Sequence, residues 1–374
     1  MNKPFQALMH EATQLTRAGR LNEATAVLQR ALGAAPTTVV AANDFVDVVD
    51  VDFVDVEVDV VDMDVLDVEA ADLAMPPTAP VSRTGEPGSF TRATHSHAGL
   101  TRDYKLYIPP GAHAAPLPLV VMLHGCNQDP DDFAVGTAMN RRAAEQGFIV
   151  LYPAQAQGAN PAACWNWFKP NHQQRGRGEP ALIASLTQAV IKAHGADPRR
   201  VYAAGLSAGG AMAAVLGQAY PELFAAVGVH SGLPVGAAHD VMTALAVMKS
   251  GAVTAQPLAG VADAGQSSAP VPTIVFHGDR DTTVHPRNGA RLVTELMHGD
   301  TDTAIRVEPG VSDHGRRFTR TVHHDARGVA RAEHWLVHGA GHAWSGGDAS
   351  GSYTDPKGPE ATREMLRFFF QHVN

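Results

Sequence analysis

Ser207 lies at the centre of Gly205-Leu206-Ser207-Ala208-Gly209, a pentapeptide suited to holding a serine on a sharp turn. Its flanks supply the matching context. Arg200 to Ala204 is a short, largely apolar run bounded by Asp197-Pro198, the pattern of a buried parallel strand. Gly210 to Tyr220 is rich in Ala, Met and Leu and stops at Pro221, the pattern of a helix. A strand-to-helix turn this tight is strained, and side chains at Gly205 and Gly209 would clash. The turn lifts Oγ above the sheet and aims the helix N-terminus at an oxygen that gains negative charge. Strand, motif and helix in that order mark a nucleophilic serine rather than an ordinary loop.

A serine hydroxyl attacks only when a base takes its proton, and the base must be oriented by an acid. On a sheet of this type the chain order is Ser, then Asp or Glu, then His. Downstream, the apolar run Thr273 to Phe276 leads into His277-Gly278-Asp279-Arg280-Asp281-Thr282-Thr283-Val284. Asp281, in the loop at the C-terminal end of that strand, is the expected acid. Asp279, nearer the strand, is the alternative, and either aspartate alone also suits a turn. His342 follows the strand ending at Val337, in a loop that Gly339 and Gly341 free to carry an imidazole over the sheet. It is the expected base. His338, closer to the strand, is expected to be structural, and His323, His324 and His334 to be surface groups of a strand-pairing region. The oxyanion would be received by the N–H of Ala208, next to the nucleophile, and by that of Cys126 in His124-Gly125-Cys126-Asn127. Each such donor is worth about a hundredfold or more in turnover. These groups predict a serine hydrolase acting through an acyl-enzyme.

Strands and helices must deliver these groups to one edge. Tyr104 to Ile108, Leu117 to Leu123, Phe148 to Tyr152, Ala226 to Val229, Thr273 to Phe276 and His334 to Val337 read as strands. Arg141 to Gln146, residues 180–194 and Pro359 to Phe370 read as helices. Repeated βα units with apolar strands predict a mostly parallel sheet covered on both faces, an α/β-hydrolase fold spanning 91–374, with its chemistry at the C-terminal strand ends. The segment 237–270, helix-like from Val241 to Met248 and then rich in Gly, Ala and Ser, is an insertion placed to gate the cleft.

The first 90 residues read differently. Residues 1–35 carry an apolar pattern broken at Gly19, that of a helical hairpin. Residues 36–90 hold a Val/Asp tract and a proline-rich linker. The tract, 44–72, contains twelve of the chain's 38 acidic residues and no basic one, leaving 26 acids against 29 bases elsewhere. The net charge of −9 is therefore local, and no global field points to nucleic acid. Calcium loops need glycine turns, which the tract lacks. Two cysteines are too few for a Cys-based zinc site, and no metal or cofactor is expected. No run of 18 apolar residues suggests a membrane span. The N-terminal residues lack the pattern of a signal peptide, which favours a cytoplasmic protein. Oligomeric state is left open.

LHGCNQ at 123–128, CWNWF at 164–168, RRVYAAGLSAGGAM at 199–212, HGDRDTTV at 277–284 and HGAGHAWSGG at 338–347 together resemble the esterase family of short-chain polyhydroxybutyrate depolymerases, with feruloyl and acetylxylan esterases as relatives. The resemblance extends from about residue 95 to 374. It implies Ser207, Asp281 and His342 as the triad, a disulfide between Cys126 and Cys164, and export from the cell. It further implies a small ester, oligoester or polyester of short hydroxy acids as substrate, with feruloyl or acetyl esters of carbohydrate as the alternative. The absence of an evident cation to hold a charged substrate fits such an ester. Trp165, Trp167 and Trp344 fall near loops expected at the cleft and are candidates for an apolar shelf under an acyl chain. A non-catalytic interaction module on the same fold is the remaining alternative.

Overall fold

The computed structural model describes residues 88–111, 113–251, 270–298 and 304–374. The expected hairpin at 1–35, the acidic tract and the Gly/Ala/Ser-rich part of the 237–270 insertion lie outside the described residues.

The chain order is β1 (Ser89–His97), β2 (Leu100–Ile108), β3 (Leu119–Leu123), α1 (Pro130–Thr137), α2 (Met139–Gln146), β4 (Ile149–Pro153), α3 (Gly178–His194), β5 (Val201–Leu206), α4 (Ala208–Ala219) and β6 (Ala226–His230). There follow α5 (Val241–Ser250), β7 (Thr273–Gly278), α6 (Arg287–Leu296), β8 (Ala304–Val311), β9 (Arg317–His324), β10 (Ala330–Val337), the short β11 (Trp344–Ser345) and β12 (Thr354–Asp355), and α7 (Ala361–Phe369). Ten strands form one sheet in the order β1-β2-β4-β3-β5-β6-β7-β10-β9-β8. From β4 to β10 the neighbours run parallel, and antiparallel pairs flank them on both edges. This is the α/β-hydrolase architecture expected from the sequence.

Continuous apolar strands follow from burial on both faces. Along β3, Leu119, Val121 and Leu123 enter one core while Val120 and Met122 enter the other. The first core is closed by Ile183 and Leu186 of α3, Met212 and Leu216 of α4 and Leu292 of α6. The second is closed by Phe133 of α1, Met139 of α2 and Met365, Leu366 and Phe369 of α7. Every residue of β3, β4, β5, β6 and β7 is buried, so the period-two alternation of a half-exposed strand is missing there.

The edge strands differ. β1, SFTRATHSH, is polar and mostly exposed, and it pairs with β2 through Ala98-Gly99. Both turn residues have positive φ, 49° and 77°, as a two-residue hairpin turn requires. β1 thus begins inside the segment read as linker. β8 is an edge strand with Ile305, Val307 and Val311 more than half exposed.

Candidate active site

Ser207 sits between β5 and α4 with φ 58° and ψ −119°, a strained conformation for a residue with a side chain. The turn is clamped from both sides. Ser207 N–H donates to His230 O at 2.8 Å, and Ser207 O accepts from Ala211 N–H at 2.9 Å. A Cβ on Gly209 would lie 2.0 Å from Leu123 O, and one on Gly205 would lie 2.4 Å from the Gly209 carbonyl oxygen. Glycine at both positions therefore lets the turn press against the end of β3. Oγ of Ser207 has no hydrogen-bond partner among the described residues, a common state of a nucleophile before substrate binds.

Two strands away, the loop after β7 carries Asp281, whose side chain is fully buried. One oxygen, Oδ1, accepts the N–H groups of Thr283 at 2.9 Å and Val284 at 2.8 Å. The other, Oδ2, lies 2.6 Å from Nδ1 of His342 and 3.5 Å from Nε2 of His277. Burial would raise this carboxyl's pKa, but the two imidazoles and the Val284 N–H hold it well below the usual carboxylate range. Asp281 is thus an anion with all its acceptor directions used. The contact fixes the His342 tautomer with the proton on Nδ1, leaving Nε2 as a base, and the His342 side chain is 11% exposed.

The alternative acid has another partner. Asp279 Oδ2 is 2.9 Å from Nδ1 of His338 and Oδ1 accepts the Gly339 N–H at 2.7 Å. Nε2 of His338 is 2.8 Å from Thr319 Oγ1. Asp279 and His338 thereby tie the end of β10 to the β7 loop, beside the Asp281–His342 pair. His334 is not a surface group: it is largely buried, and burial first, then nearby His277 and His323, lower its pKa to about 4.

The N–H groups of Cys126 and Ala208, expected to hold the oxyanion, donate to no protein acceptor among the described residues. Ala208 is the first residue of α4, where the helix has no acceptor to offer. The Cys126 loop is braced on each side. Gly125 N–H donates to Gln128 Oε1 at 2.9 Å, and the Gln128 amide donates to Asp132 Oδ2 at 2.9 Å and to Ser352 O at 3.2 Å. His124 donates from Nδ1 to Gly125 O at 2.8 Å and accepts from Gln155 N–H at 3.1 Å, so it is neutral. Cys126 is disulfide-bonded to Cys164, and Asn127 N–H donates to Ala162 O at 2.7 Å.

The Cys164 loop rests on a buried carboxylate. Glu179, in the first turn of α3, accepts from Gln155 Nε2 at 2.6 Å, Asn166 N–H at 2.8 Å and Asn166 Nδ2 at 2.8 Å, with Arg102 Nη2 at 3.4 Å. Burial opposes ionisation, yet the His172, Gln155 and Asn166 contacts outweigh it and lower the pKa to about 2. Gln155 also donates to Cys164 O at 2.9 Å.

The three tryptophans do not form a cleft wall. Trp165 is 0%, Trp167 5% and Trp344 1% exposed. Trp165 packs on His124, Trp167 on Phe168, and Trp344 between His230 and Phe133 with its indole N–H on Thr362 Oγ1 at 3.0 Å. Their bulk favours burial in the core beneath the catalytic loops over a shelf above it. In the insertion, α5 docks on the Asp281 loop, with Lys249 Nζ donating to Thr282 O at 3.0 Å and His285 N–H to Met248 O at 2.7 Å.

His277, His230, Gln128 and Glu179 support the site and were not singled out from the sequence. The signal for two of them lay inside the quoted motifs: His277 opens HGDRDTTV, and Gln128 closes LHGCNQ. His230 is fully buried between Phe276 and Trp344; burial, then the neighbouring imidazoles of His277 and His342, lower its pKa to about 3. It accepts the Ser345 N–H at 2.9 Å.

The family model described as Esterase PHB depolymerase matches residues 102–306, more than half of the chain. Poly(3-hydroxyalkanoate) depolymerase C of Paucimonas lemoignei is 35% identical over 238 residues, covering 62% of this chain and 56% of that protein. Feruloyl esterase B of Thermothelomyces thermophilus is 32% identical over 193 residues, covering 49% of this chain and 65% of that protein. The chain thus spans between about half and two-thirds of the length of these curated relatives. An acetyl xylan esterase from Aspergillus awamori has the same fold, with a TM-score of 0.61 at 22% identity over 76% of this chain and 99% of that one.

Proposed function

The chain belongs to the Esterase PHB depolymerase family, and from that premise we propose that it is a serine esterase cleaving short-chain hydroxyalkanoate oligomers or polyesters. The Asp281–His342 pair, at 2.6 Å on the strand-end edge that also carries the strained Ser207, supports this most directly. In the proposed reaction Nε2 of His342 takes the proton of Ser207 Oγ as that oxygen attacks the ester carbonyl. Negative charge moves to the carbonyl oxygen, which the N–H groups of Ala208 and Cys126 receive. The imidazolium, stabilised by the Asp281 carboxylate, then gives its proton to the departing alcohol oxygen as the C–O bond breaks. Water, deprotonated by the same imidazole, attacks the acyl-enzyme, and the serine leaves with the proton.

The identity to a feruloyl esterase, 32%, favours a second reading in which the alcohol side is a carbohydrate. A panel of p-nitrophenyl butyrate, hydroxybutyrate oligomers, a polyhydroxybutyrate film, methyl ferulate and acetylated xylan, at equal enzyme concentration, separates the two. Fastest turnover of the oligomers is expected. Preference for ferulate or xylan would replace the polyester reading with the carbohydrate one, and failure on every ester would mark a non-catalytic module.

A further inference from the structure

A cleft of about 490 Å³ opens beside the loop that carries His342, lined by Arg280, His314, Arg316, Arg317 and Lys357 together with Asp279 and His338. Its one carboxylate is already engaged, since Asp279 is bound to His338 and to the Gly339 N–H. Arg316 is partly engaged, donating to Asp355 and to Gly339 O. Arg280, Arg317 and Lys357 enter no ion pair among the described residues. These cations come from the β7 loop, the start of β9 and the segment after β12, so the topology gathers them from distant stretches of sequence. Like charges around one void repel, and cations brought together this way create a positive potential that favours an anion. Arginine forks in particular suit the two oxygens of a carboxylate.

Strand order sets the direction in which a ligand would run. Ser207 follows β5, whereas the cleft lies over the ends of β7 and β10 and the start of β9. With neighbouring strands ~4.8 Å apart, the end of β5 and the start of β9 are separated by roughly 19 Å. β10, which the His342 loop follows, lies between them in this order. In ester hydrolysis the imidazole faces the leaving alcohol, so the cleft continues on the alcohol side of the scissile bond. In an oligomer of a hydroxy acid, the alcohol side is the one that ends in the free carboxylate, while the acyl side ends in a hydroxyl.

We propose that this cleft binds the terminal carboxylate of a hydroxyalkanoate oligomer, so that the enzyme grips its substrate by the acid end while Ser207 attacks an ester several units away. This rests on the polyester reading above. From the sequence, no cation is expected to hold a charged substrate; of the cations in this cleft, only Arg280 lies within the motifs of the resemblance.

The test compares the 3-hydroxybutyrate hexamer, long enough to span the distance from Ser207 to the cleft, as free acid and as its methyl ester, using the full-length chain and its Arg280→Gln, Arg317→Gln, Lys357→Gln triple variant. For the unaltered protein the acid should show a KM about tenfold lower than the methyl ester, with a preference that weakens in salt. In the triple variant the two KM values should converge, with hydrolysis of p-nitrophenyl butyrate unchanged. Equal KM values for acid and methyl ester in the unaltered protein would overturn the proposal. Should p-nitrophenyl butyrate be cleaved and neither hexamer, the polyester reading fails by itself. The cleft is then decided by calorimetric titration of the hexamer acid into full-length Ser207→Ala. Binding that disappears with the three substitutions upholds the carboxylate site, and no binding removes it.

Discussion

Nε2 of His277 lies 3.5 Å from the same Asp281 oxygen that holds His342. The His277 side chain is fully buried, Nε2 is 2.8 Å from Val284 O, and Nδ1 has no hydrogen-bond partner. The ring is therefore the Nε2–H tautomer, and its single proton points at the loop that presents the acid. Because Val284 N–H in turn donates to Asp281 Oδ1, His277 links both ends of a closed turn.

His277 is accordingly a positioning residue for Asp281. His277→Leu should lower kcat by about 10- to 100-fold, the worth of a hydrogen bond to a charged group, with little change in KM. With one donor to the carboxylate gone, the acid limb of the kcat/KM profile should move to higher pH. His277→Gln, whose amide reaches a similar point, should recover most of the rate. A folded Leu variant with an unmoved pH profile would reduce His277 to packing.

The two aspartates of the β7 loop should separate cleanly. Asp281→Asn removes the charge that orients His342 and stabilises its imidazolium, and kcat should fall by about 10³- to 10⁴-fold. Asp279→Asn only loosens the tether to His338 and Gly339 and should cost less than about tenfold. Steady-state hydrolysis of p-nitrophenyl butyrate by both variants, with Ser207→Ala as the zero, reads the difference. The reverse order would move the acid to Asp279.

Much of this site was legible in the sequence because its main parts are local. The Ser207 turn needs glycine at Gly205 and Gly209, and the contacts with Leu123 and within the turn give the steric reason. Asp281 and His342 are legible from chain order, each following an apolar run that becomes a buried strand. Features that depend on long-range packing were not. Burial turned Trp165, Trp167 and Trp344 from expected cleft residues into core. Glu179 looks like any first-turn helix acid until Arg102, Gln155 and Asn166 converge on it from other segments. β1 was missed because an exposed edge strand lacks an apolar period and its turn carries Ala98 where Asn or Asp would have announced a hairpin.

Reducing the Cys126–Cys164 bond should lower both stability and turnover. The bond closes a separation of 38 residues and joins the Cys126 loop, proposed to hold the oxyanion, to the loop resting on Glu179. Its chain-entropy contribution is about 4 kcal/mol. Without it, Asn127 N–H on Ala162 O and the Gln128 brace remain, so the fold should persist while the Cys126 N–H loses its fixed aim. Calorimetry with and without reductant, and on the Cys126→Ser, Cys164→Ser double variant, should show a lower Tm. A decrease in kcat should accompany it. Unchanged kcat with a lowered Tm would confine the disulfide to stability.

The buried Glu179 carboxylate gives the acid side of stability a definite shape. Its pKa is about 2 in the folded protein against an ordinary 4.5, because the contacts with His172, Gln155 and Asn166 outweigh the cost of burial. A depressed carboxylate stabilises the folded state fully above its unfolded pKa, and that contribution is lost as pH falls through the folded one. The shift corresponds to roughly 3 kcal/mol at neutral pH and about half that near pH 3. Glu179→Gln removes the titration and turns an amide N–H₂ toward donors that need an acceptor, so the variant should be less stable at pH 7. Its deficit relative to the unaltered chain should shrink between pH 4.5 and 2. Urea unfolding at pH 7, 4 and 3, followed by tryptophan fluorescence of the full-length proteins, measures both quantities. A deficit that stays constant across that range would mean that Glu179 contributes through packing and not through its charge.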